Sequence, residues 1–313
     1  MPTERAIREL QPVRQSELIA GIRGLGLPEG SLVMAHASLS SLGWVVGGPE
    51  TVVRALLDVV GRSGTLAVVA SWDDIPFRLA RWPLAWQDAY QDEMPGFDPE
   101  HSEANREYGR LPERLRTWPG ARKSAHPDQR VVAVGRLASW LTATHSLDDS
   151  FGPGTPFARL VEARGYVLML GAPLRSLTLL HHAEAIASVP AKRRWAYSLP
   201  FATADGPTWR MLHDIDVENG PYPYEEGGLG TIAHAALTEG IGIRGRVAGA
   251  DSHLFPAVEL VAFATRWLEE RFGSRTIDAH AKASERAAND PSRNSDATAF
   301  TAGVIPYLTC VKM

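Results

Sequence analysis

Short apolar runs separated by amphipathic segments restrict the fold of this sequence more than any other feature. Residues 31–36, 65–70 and 166–170 form three such runs. Between the first two, apolar side chains recur at helical spacing from Val52 to Val60, and Gly61 follows. The order strand, helix, strand indicates parallel strands joined by a right-handed crossover. We therefore predict a three-layer α/β/α fold with a central, mainly parallel sheet, long inserted loops for substrate, and ligands at the carboxyl ends of the strands.

The same patterns place the remaining elements and one domain boundary. Further helices are predicted over residues 16–25, 111–118, 156–164, 176–189, 231–239 and 256–272, and further strands over 131–134, 195–199, 209–212 and 244–248. Asp205-Gly206 is typical of a hairpin turn, and Thr155-Pro156 and Ser176 are typical helix starts. Residues 1–273 are predicted to form one domain, and residues 274–313, rich in Ala, Ser, Asp and Arg, a poorly ordered extension.

Composition narrows the classes of function. The chain has 313 residues, a net charge of −4 and 44% hydrophobic residues. This charge provides no basic surface for nucleic acid and no polybasic patch for a membrane. No apolar run approaches the roughly 18 residues of a membrane span, and the first residues lack a signal peptide's apolar core, so we predict a cytoplasmic protein. The single cysteine, Cys310, excludes an internal disulfide and a CxxC metal site and argues against a cysteine acyl-enzyme.

Residues 71–107 interrupt the α/β pattern with an acidic and aromatic segment. It contains nine acids, three arginines and six interleaved aromatic residues. Aromatic walls with carboxylates suit a cationic, hydroxyl-rich ligand, so the segment is predicted to be a substrate lid. Composition alone equally permits a solvated lid whose tryptophans fill the core. A second acidic loop, residues 214–226, is a candidate for a second substrate wall.

The best catalytic constellation lies on the helix predicted after Ser176. His181 and Glu184 are three residues apart and share a helix face, whereas His182 points about 100° away. A histidine with a carboxylate neighbour can act as a general base. The competing interpretation is an incidental ion pair on a surface helix. A metal site at His181, His182 and Glu184 is disfavoured because adjacent histidines diverge.

At these residues the sequence resembles the aminoglycoside 3-N-acetyltransferases. Thr178, His181, Ala183 and Glu184 match their Thr-x-x-His-x-Ala-Glu motif. Further matching segments occur in the same order at residues 35–39 with Gly47-Gly48, 70–73, 122–127, 152–160 and 189–193. Together they span roughly residues 15 to 273, and their order makes the resemblance far more specific than one motif.

The resemblance implies acetylation of the 3-amino group of a 2-deoxystreptamine antibiotic by acetyl-coenzyme A, without a metal. His181 would be the general base and Glu184 the acid that orients it. Coenzyme contacts are predicted at His36, Ser38, Ser40, Gly47, Gly48, Ser124, His126 and Thr178. Substrate contacts are predicted at Trp72, Asp73, Asp74, Glu103 and Asp216. Ala37 departs from the serine of many members, which leaves one coenzyme hydrogen bond in doubt.

The expected partners are therefore a small aminoglycoside and coenzyme A, with no nucleic acid or membrane, and the expected assembly is a monomer or homodimer. Two alternatives remain at this stage. An acetyltransferase of the same fold acting on another amine would keep the His181 and Glu184 pair. A non-catalytic binder of polyamines or cationic sugars would keep the acidic loops and need no such pair.

Overall fold

The computed structural model describes residues 11–190, 192–224 and 228–273. The predicted extension over residues 274–313 lies outside these residues, as do Glu225 and Glu226 of the second acidic loop. In the described chain the α-helices are α1 Gln15–Gly24, α2 Leu39–Leu42, α3 Pro49–Val60, α4 Leu84–Glu93, α5 Arg110–Arg116, α6 Ala138–Thr142, α7 Pro156–Glu162, α8 Leu179–Ile186, α9 Leu229–Thr238 and α10 Ala257–Phe272. The strands are β1 Pro12–Val13, β2 Leu32–Ala37, β3 Trp44–Val45, β4 Thr65–Val69, β5 Arg122–Lys123, β6 Val131–Gly135, β7 Tyr166–Leu170, β8 Arg194–Thr203, β9 Gly206–Ile215, β10 Ile243–Val247 and β11 Ala250–Pro256.

A seven-stranded sheet forms the middle layer, in the order β10-β11-β7-β2-β4-β6-β5. The three central strands β7, β2 and β4 are parallel, as predicted. The outer pairs are antiparallel. Parallel pairing is thus confined to the centre, where a helical crossover leads from β2 to β4. On one side the turn at Ala248-Gly249 reverses the chain, so β10 and β11 pair as a hairpin.

Side chains alternate between two hydrophobic cores, one on each face of the sheet. Along β2, Leu32 and Met34 belong to one core, and Val33 and Ala35 to the other. The first core is covered by α6 to α10, and the second by α1, α3 and α5. Because successive residues of a strand point to opposite faces, a fully apolar strand needs helices on both sides. This arrangement confirms the predicted three layers.

Most predicted elements are confirmed, and the exceptions have physical causes. Thr155 caps α7 by accepting a hydrogen bond from the Ala158 amide at 3.5 Å. Ser176 does not cap α8: it ends a 3-10 turn, and its hydroxyl donates to the Pro173 carbonyl at 2.7 Å. The helix ends at Ile186, short of Val189, because Ala187 is extended and Pro190 follows closely. Strand β11 was not predicted.

The hairpin β8–β9 is confirmed, with Ala204 and Asp205 in the turn and Gly206 as the first residue of β9. It forms a sheet of its own and does not extend the central sheet. It holds the 71–107 insertion through backbone hydrogen bonds from the Phe97 amide to the Pro200 carbonyl, at 2.8 Å, and from the Ala202 amide to the Phe97 carbonyl, at 3.0 Å. A small aromatic core around Trp72 and Phe97 fills this contact. The insertion is therefore an integral wall of the molecule.

Candidate active site

The carboxyl ends of the three parallel strands bring distant segments of the chain together. The Ser38 amide, just after β2, donates to the carbonyl of Leu170 at the end of β7, at 2.9 Å. Beyond β4, the Ser71 carbonyl accepts from the Asn105 amide at 2.7 Å, which draws the end of the insertion to the same edge. The loop after β7 then leads into α8. This edge is where ligands bind in parallel α/β sheets.

Helix α8 presents His181 and Glu184 on one face, as their spacing predicts. The helix is fixed by the buried side chains of Leu179, Leu180 and Ala183. His181 Nδ1 lies 2.5 Å from Glu184 Oε2, and the carboxylate is fully buried whereas 18% of the histidine side chain is exposed. Nδ1 must carry a proton to donate to the carboxylate. His181 Nε2, which makes no hydrogen bond to a described residue, is thereby left as the basic nitrogen.

A loop that follows the hairpin holds Glu184 from the other side. The Tyr224 hydroxyl donates to Glu184 Oε1, and the Tyr222 hydroxyl donates to the Glu184 backbone carbonyl at 2.7 Å. Lys192 Nζ donates to the carbonyls of Glu184, Ala185 and Ala187. A cation is stabilising at the carboxyl end of a helix, where carbonyl groups lack intrahelical partners.

His182 has a structural role, in agreement with its different direction on the helix. Its Nδ1–H donates to the Phe151 carbonyl at 2.6 Å, and burial lowers the pKa of its ring. The Phe151 ring lies 4.8 Å from the His181 ring, centroid to centroid. The segment around Phe151 therefore packs beside His181.

The loop predicted to contact the coenzyme through Ser124 and His126 is connected to the same segment. Burial lowers the pKa of His145 to about 4, and its Nε2–H donates to the Ser150 carbonyl at 2.9 Å. His145 Nδ1 therefore accepts from the Ser124 hydroxyl, at 2.9 Å. The His126 ring packs on His145 with centroids 4.8 Å apart. Both Ser124 and His126 are fully buried, and they fix the wall beside His181.

Two buried acids, Asp128 and Asp214, lie near this wall, and Asp128 interacts electrostatically with His181. Asp128 is buried, and burial, reinforced by Asp214 and Glu218, raises its pKa from 3.8 to about 7 even though His181 opposes the shift. Burial also raises the pKa of Asp214, which accepts hydrogen bonds from the amide and hydroxyl of Ser150. A carboxylate that is removed from water binds a cation strongly, because the cation replaces the electrostatic stabilisation that water would provide.

The predicted substrate residues lie in three settings. Trp72 is buried and packs on Phe97 at 5.8 Å. Asp73 accepts from the Arg106 amide at 2.9 Å and pairs with its guanidinium, which also pairs with the exposed Glu103, whereas Asp74 is exposed. Asp216 accepts three hydrogen bonds from Asn219 within its own loop. The structure thus gives Asp73 and Asp216 internal partners that sequence spacing did not reveal.

The other predicted coenzyme residues lie along the ends of β2 and α8. The hydroxyls of Ser38 and Ser41 share a hydrogen bond of 2.8 Å, and Ser40 is exposed beside them. Burial lowers the pKa of His36 to about 4, so its ring is neutral at pH 7. The Thr178 hydroxyl donates to the Ser176 carbonyl at 3.3 Å.

Gly47 and Gly48 both adopt positive φ, 81° and 62°, and Gly48 directly precedes α3. Only glycine adopts this conformation without strain. A cleft of about 370 Å³ opens at the start of α3, lined by Pro49, Glu103, Ala104, Arg106, Gly109, Arg110, Glu113, Arg114 and Thr117. A side-chain carbon at Gly109 would lie 3.8 Å from the Ala37 carbonyl, so the cleft adjoins the end of β2.

The sequence and the fold resemble those of known enzymes. The sequence profile of the aminoglycoside 3-N-acetyltransferases matches residues 34–269. Aminoglycoside N(3)-acetyltransferase VII of Streptomyces paromomycinus is 48% identical over 269 residues, which are 84% of this chain and 93% of that protein. The chain belongs to the aminoglycoside 3-N-acetyltransferase family. It is therefore an acyltransferase.

Solved structures agree with this assignment. The AAC-IIIb binary with CoASH superposes with a TM-score of 0.78 and 41% identity, over 84% of this chain and 99% of that one. AAC-VIa bound to sisomicin superposes with a TM-score of 0.78 and 36% identity, over 84% of this chain and 100% of that one.

The described residues of this acyltransferase contain no group of three or more His, Cys, Asp or Glu side chains that could bind a metal ion. Among the same residues, no helix has the length and the apolar character of a membrane span.

Sequence patterns did not predict several residues of this candidate site. Tyr224 lies 40 residues from Glu184 in the chain, so no local spacing connects them. Asp128 directly follows the matching segment 122–127, but nothing in the sequence shows that it is buried. No local sequence pattern predicted a role for His145, because its hydrogen-bond partner Ser124 is 21 residues away.

Proposed function

We propose that the protein transfers the acetyl group of acetyl-coenzyme A to the 3-amino group of 2-deoxystreptamine aminoglycosides and thereby confers resistance to them. The transfer is direct, and His181 acts as the general base. The observation that carries this proposal is the contact of 2.5 Å between His181 Nδ1 and the buried Glu184. This contact keeps the proton of the neutral imidazole on Nδ1, which faces the carboxylate. Nε2 therefore carries a free lone pair and makes no hydrogen bond to a described residue. We expect the reaction to take place in the cytoplasm, where acetyl-coenzyme A is available.

An aminoglycoside amine is largely protonated at pH 7, so it first loses one proton to the solvent and becomes a nucleophile. The neutral amine then attacks the thioester carbonyl, and His181 Nε2 takes the second proton from the nitrogen. The new carbon–nitrogen bond forms, the carbon–sulfur bond breaks, and coenzyme A leaves as a thiol with the proton that His181 returns. Glu184 supports the imidazolium that forms in this step and holds the ring in the reactive tautomer. No metal is required.

The acids beside His181 would hold the ammonium groups of the antibiotic. Asp128 lies within electrostatic reach of His181, and burial raises its pKa to about 7. An arriving ammonium would ionise Asp128 and bind it at the same time. A negative surface would continue from Asp128 along the insertion, through the exposed Asp74 and the cluster of Asp73, Glu103 and Arg106. The buried Trp72 directly precedes Asp73 in the chain and would help to hold this surface in place. AAC-VIa, a relative of similar fold, binds sisomicin.

The part of the cleft at Arg110 and Arg114 would hold the phosphates of coenzyme A, whereas Glu103, which also lines the cleft, belongs to the surface for the antibiotic. Arg110 lines this cleft and makes no ion pair with any described residue. The amino end of α3, after Gly47-Gly48, adds unpaired amide groups and the positive end of the helix dipole. From there the thioester would run past Ser38 and Ser40 toward Thr178. AAC-IIIb, another relative, forms a binary complex with CoASH.

The decisive experiment measures thiol release from acetyl-coenzyme A across an aminoglycoside panel and locates the acetylated nitrogen by NMR. His181→Ala should lower kcat by roughly 10²–10⁴, and Glu184→Gln should lower it less. The matched control is His101→Ala, because His101 also pairs with a carboxylate three residues away, at 2.8 Å, but is 85% exposed. That variant should retain full activity.

Four outcomes would contradict the proposal. A fully active His181→Ala enzyme would remove the general base. A covalent acetyl-enzyme, trapped by mass spectrometry after acetyl-coenzyme A alone, would replace direct transfer. Antibiotic binding without thiol release would make the protein a binder, whereas thiol release only with other amines would change the substrate class.

A further inference from the structure

The carboxylate of Glu184 is fully buried, and each of its oxygens has its own partner. Oε2 faces His181 Nδ1 at 2.5 Å, and Oε1 accepts from the Tyr224 hydroxyl. A carboxylate removed from water is costly unless such partners satisfy it. Burial next to this negative charge raises the pKa of Tyr224, so the hydroxyl keeps its proton and remains a donor.

We propose that Tyr224 is a positioning residue that sets, through Glu184, the pH range in which His181 works as a base. The proposal rests on the His181 and Glu184 mechanism given above. By donating to Oε1, Tyr224 draws negative charge away from Oε2 and weakens the support that Glu184 gives to the His181 imidazolium. The same hydrogen bond fixes the plane of the carboxylate and with it the direction of the imidazole ring.

The ring of Tyr224 is held well enough to perform this role. It packs edge-on against Phe272 at the end of α10, with centroids 5.8 Å apart and planes at 89°. Tyr222 stacks on the same ring at 5.3 Å. Arg193 donates to the carbonyls of Gly220 and Asn219 and anchors the loop that carries both tyrosines.

Other charged groups also face the dyad and must stay constant in a test. Lys192, on the segment after α8, interacts electrostatically with Glu184, and Asp128 interacts with His181. Glu269 on α10 interacts with Lys192 and Tyr222, next to the dyad. Substitution of the Tyr224 hydroxyl alone leaves all three in place. Tyr222 provides the matched control, because its hydroxyl donates to the backbone carbonyl of Glu184 and not to the carboxylate.

The experiment compares the pH profiles of kcat/KM for the full-length Tyr224→Phe and Tyr222→Phe enzymes. Tyr224→Phe should lower kcat about 10-fold at the plateau because the dyad loses its orientation. It should also shift the acidic limb of the kcat/KM profile to higher pH, by about 0.5–1 pH unit, because Glu184 then stabilises the His181 imidazolium more strongly. Tyr222→Phe should leave the limb in place, and the KM for acetyl-coenzyme A should stay unchanged in both.

A second substitution tests the same hydroxyl without removing it. Incorporation of 3,5-difluorotyrosine at position 224 makes the hydroxyl a stronger donor, so the acidic limb should move to lower pH. If both changes at Tyr224 leave the limb where the Tyr222→Phe limb lies, while His181→Ala is inactive, the role of Tyr224 is refuted and the base stands. If His181→Ala is active, the base itself is refuted, and this inference with it.

Discussion

Replacement of Asp128 by asparagine should make the protein more stable at neutral pH although it damages the active site. Asp128 is only 7% exposed, and its pKa is raised from 3.8 to about 7, mainly by burial. In the unfolded chain this carboxyl ionises near pH 4. In the folded protein it keeps its proton until about pH 7, so the folded state binds more protons between these values.

The sign and size of the effect follow from this difference. Where the folded state binds more protons, the free energy of unfolding falls as the pH rises. For a pKa of about 7 against 3.8, the loss reaches at most about 4 kcal/mol above pH 7, at about 1.4 kcal/mol per unit. Asparagine has no such ionisation. The stability of Asp128→Asn relative to the wild type should therefore rise from pH 4 to pH 7 and stay constant above.

Urea unfolding at pH 4, 5, 6, 7 and 8 measures this difference. The matched control is Asp148→Asn, which changes a nearby carboxyl whose side chain is 61% exposed, and it should show no pH-dependent gain. An aminoglycoside should stabilise the wild type more than Asp128→Asn, and its KM should rise in the variant. A stability difference that is the same at pH 5 and pH 8 would show that Asp128 ionises normally and would refute the reasoning.

Three further predictions follow from the site. Arg110→Gln should raise the KM for acetyl-coenzyme A severalfold but leave the KM for a truncated acetyl-pantetheine thioester unchanged. Equal effects on both KM values would show that Arg110 does not bind the phosphates. Asp73→Asn should raise the aminoglycoside KM, as should added salt, since these charges are near the surface; an unchanged KM would leave Asp73 as the partner of Arg106 alone. Deletion of residues 274–313 should preserve turnover, because the family match ends at residue 269 and Phe272 is retained; lost turnover would show that this segment is needed.

Features that depend on near neighbours in the chain were predictable from the sequence. The apolar runs of β2, β4 and β7 and the stripe of α3 gave the three layers, because burial on both faces requires continuous apolar residues. Thr155-Pro156 marked the start of α7, since capping involves only the next few amides. The shared face of His181 and Glu184 followed from helical spacing alone, and their contact at 2.5 Å agrees with it.

Tertiary structure alone decided everything that depends on remote partners. Strand β11 pairs with β7 across more than eighty residues, and no local pattern announced it. The pairing of Asp73 with Arg106 and the support of Glu184 by Tyr224 arise where separate loops meet beyond the sheet. Asp128 is acidic in the sequence, but its raised pKa exists only because folding removes it from water beside other acids. Spacing fixes which residues share a helix face, whereas packing determines which of them lose solvent and which partners replace it.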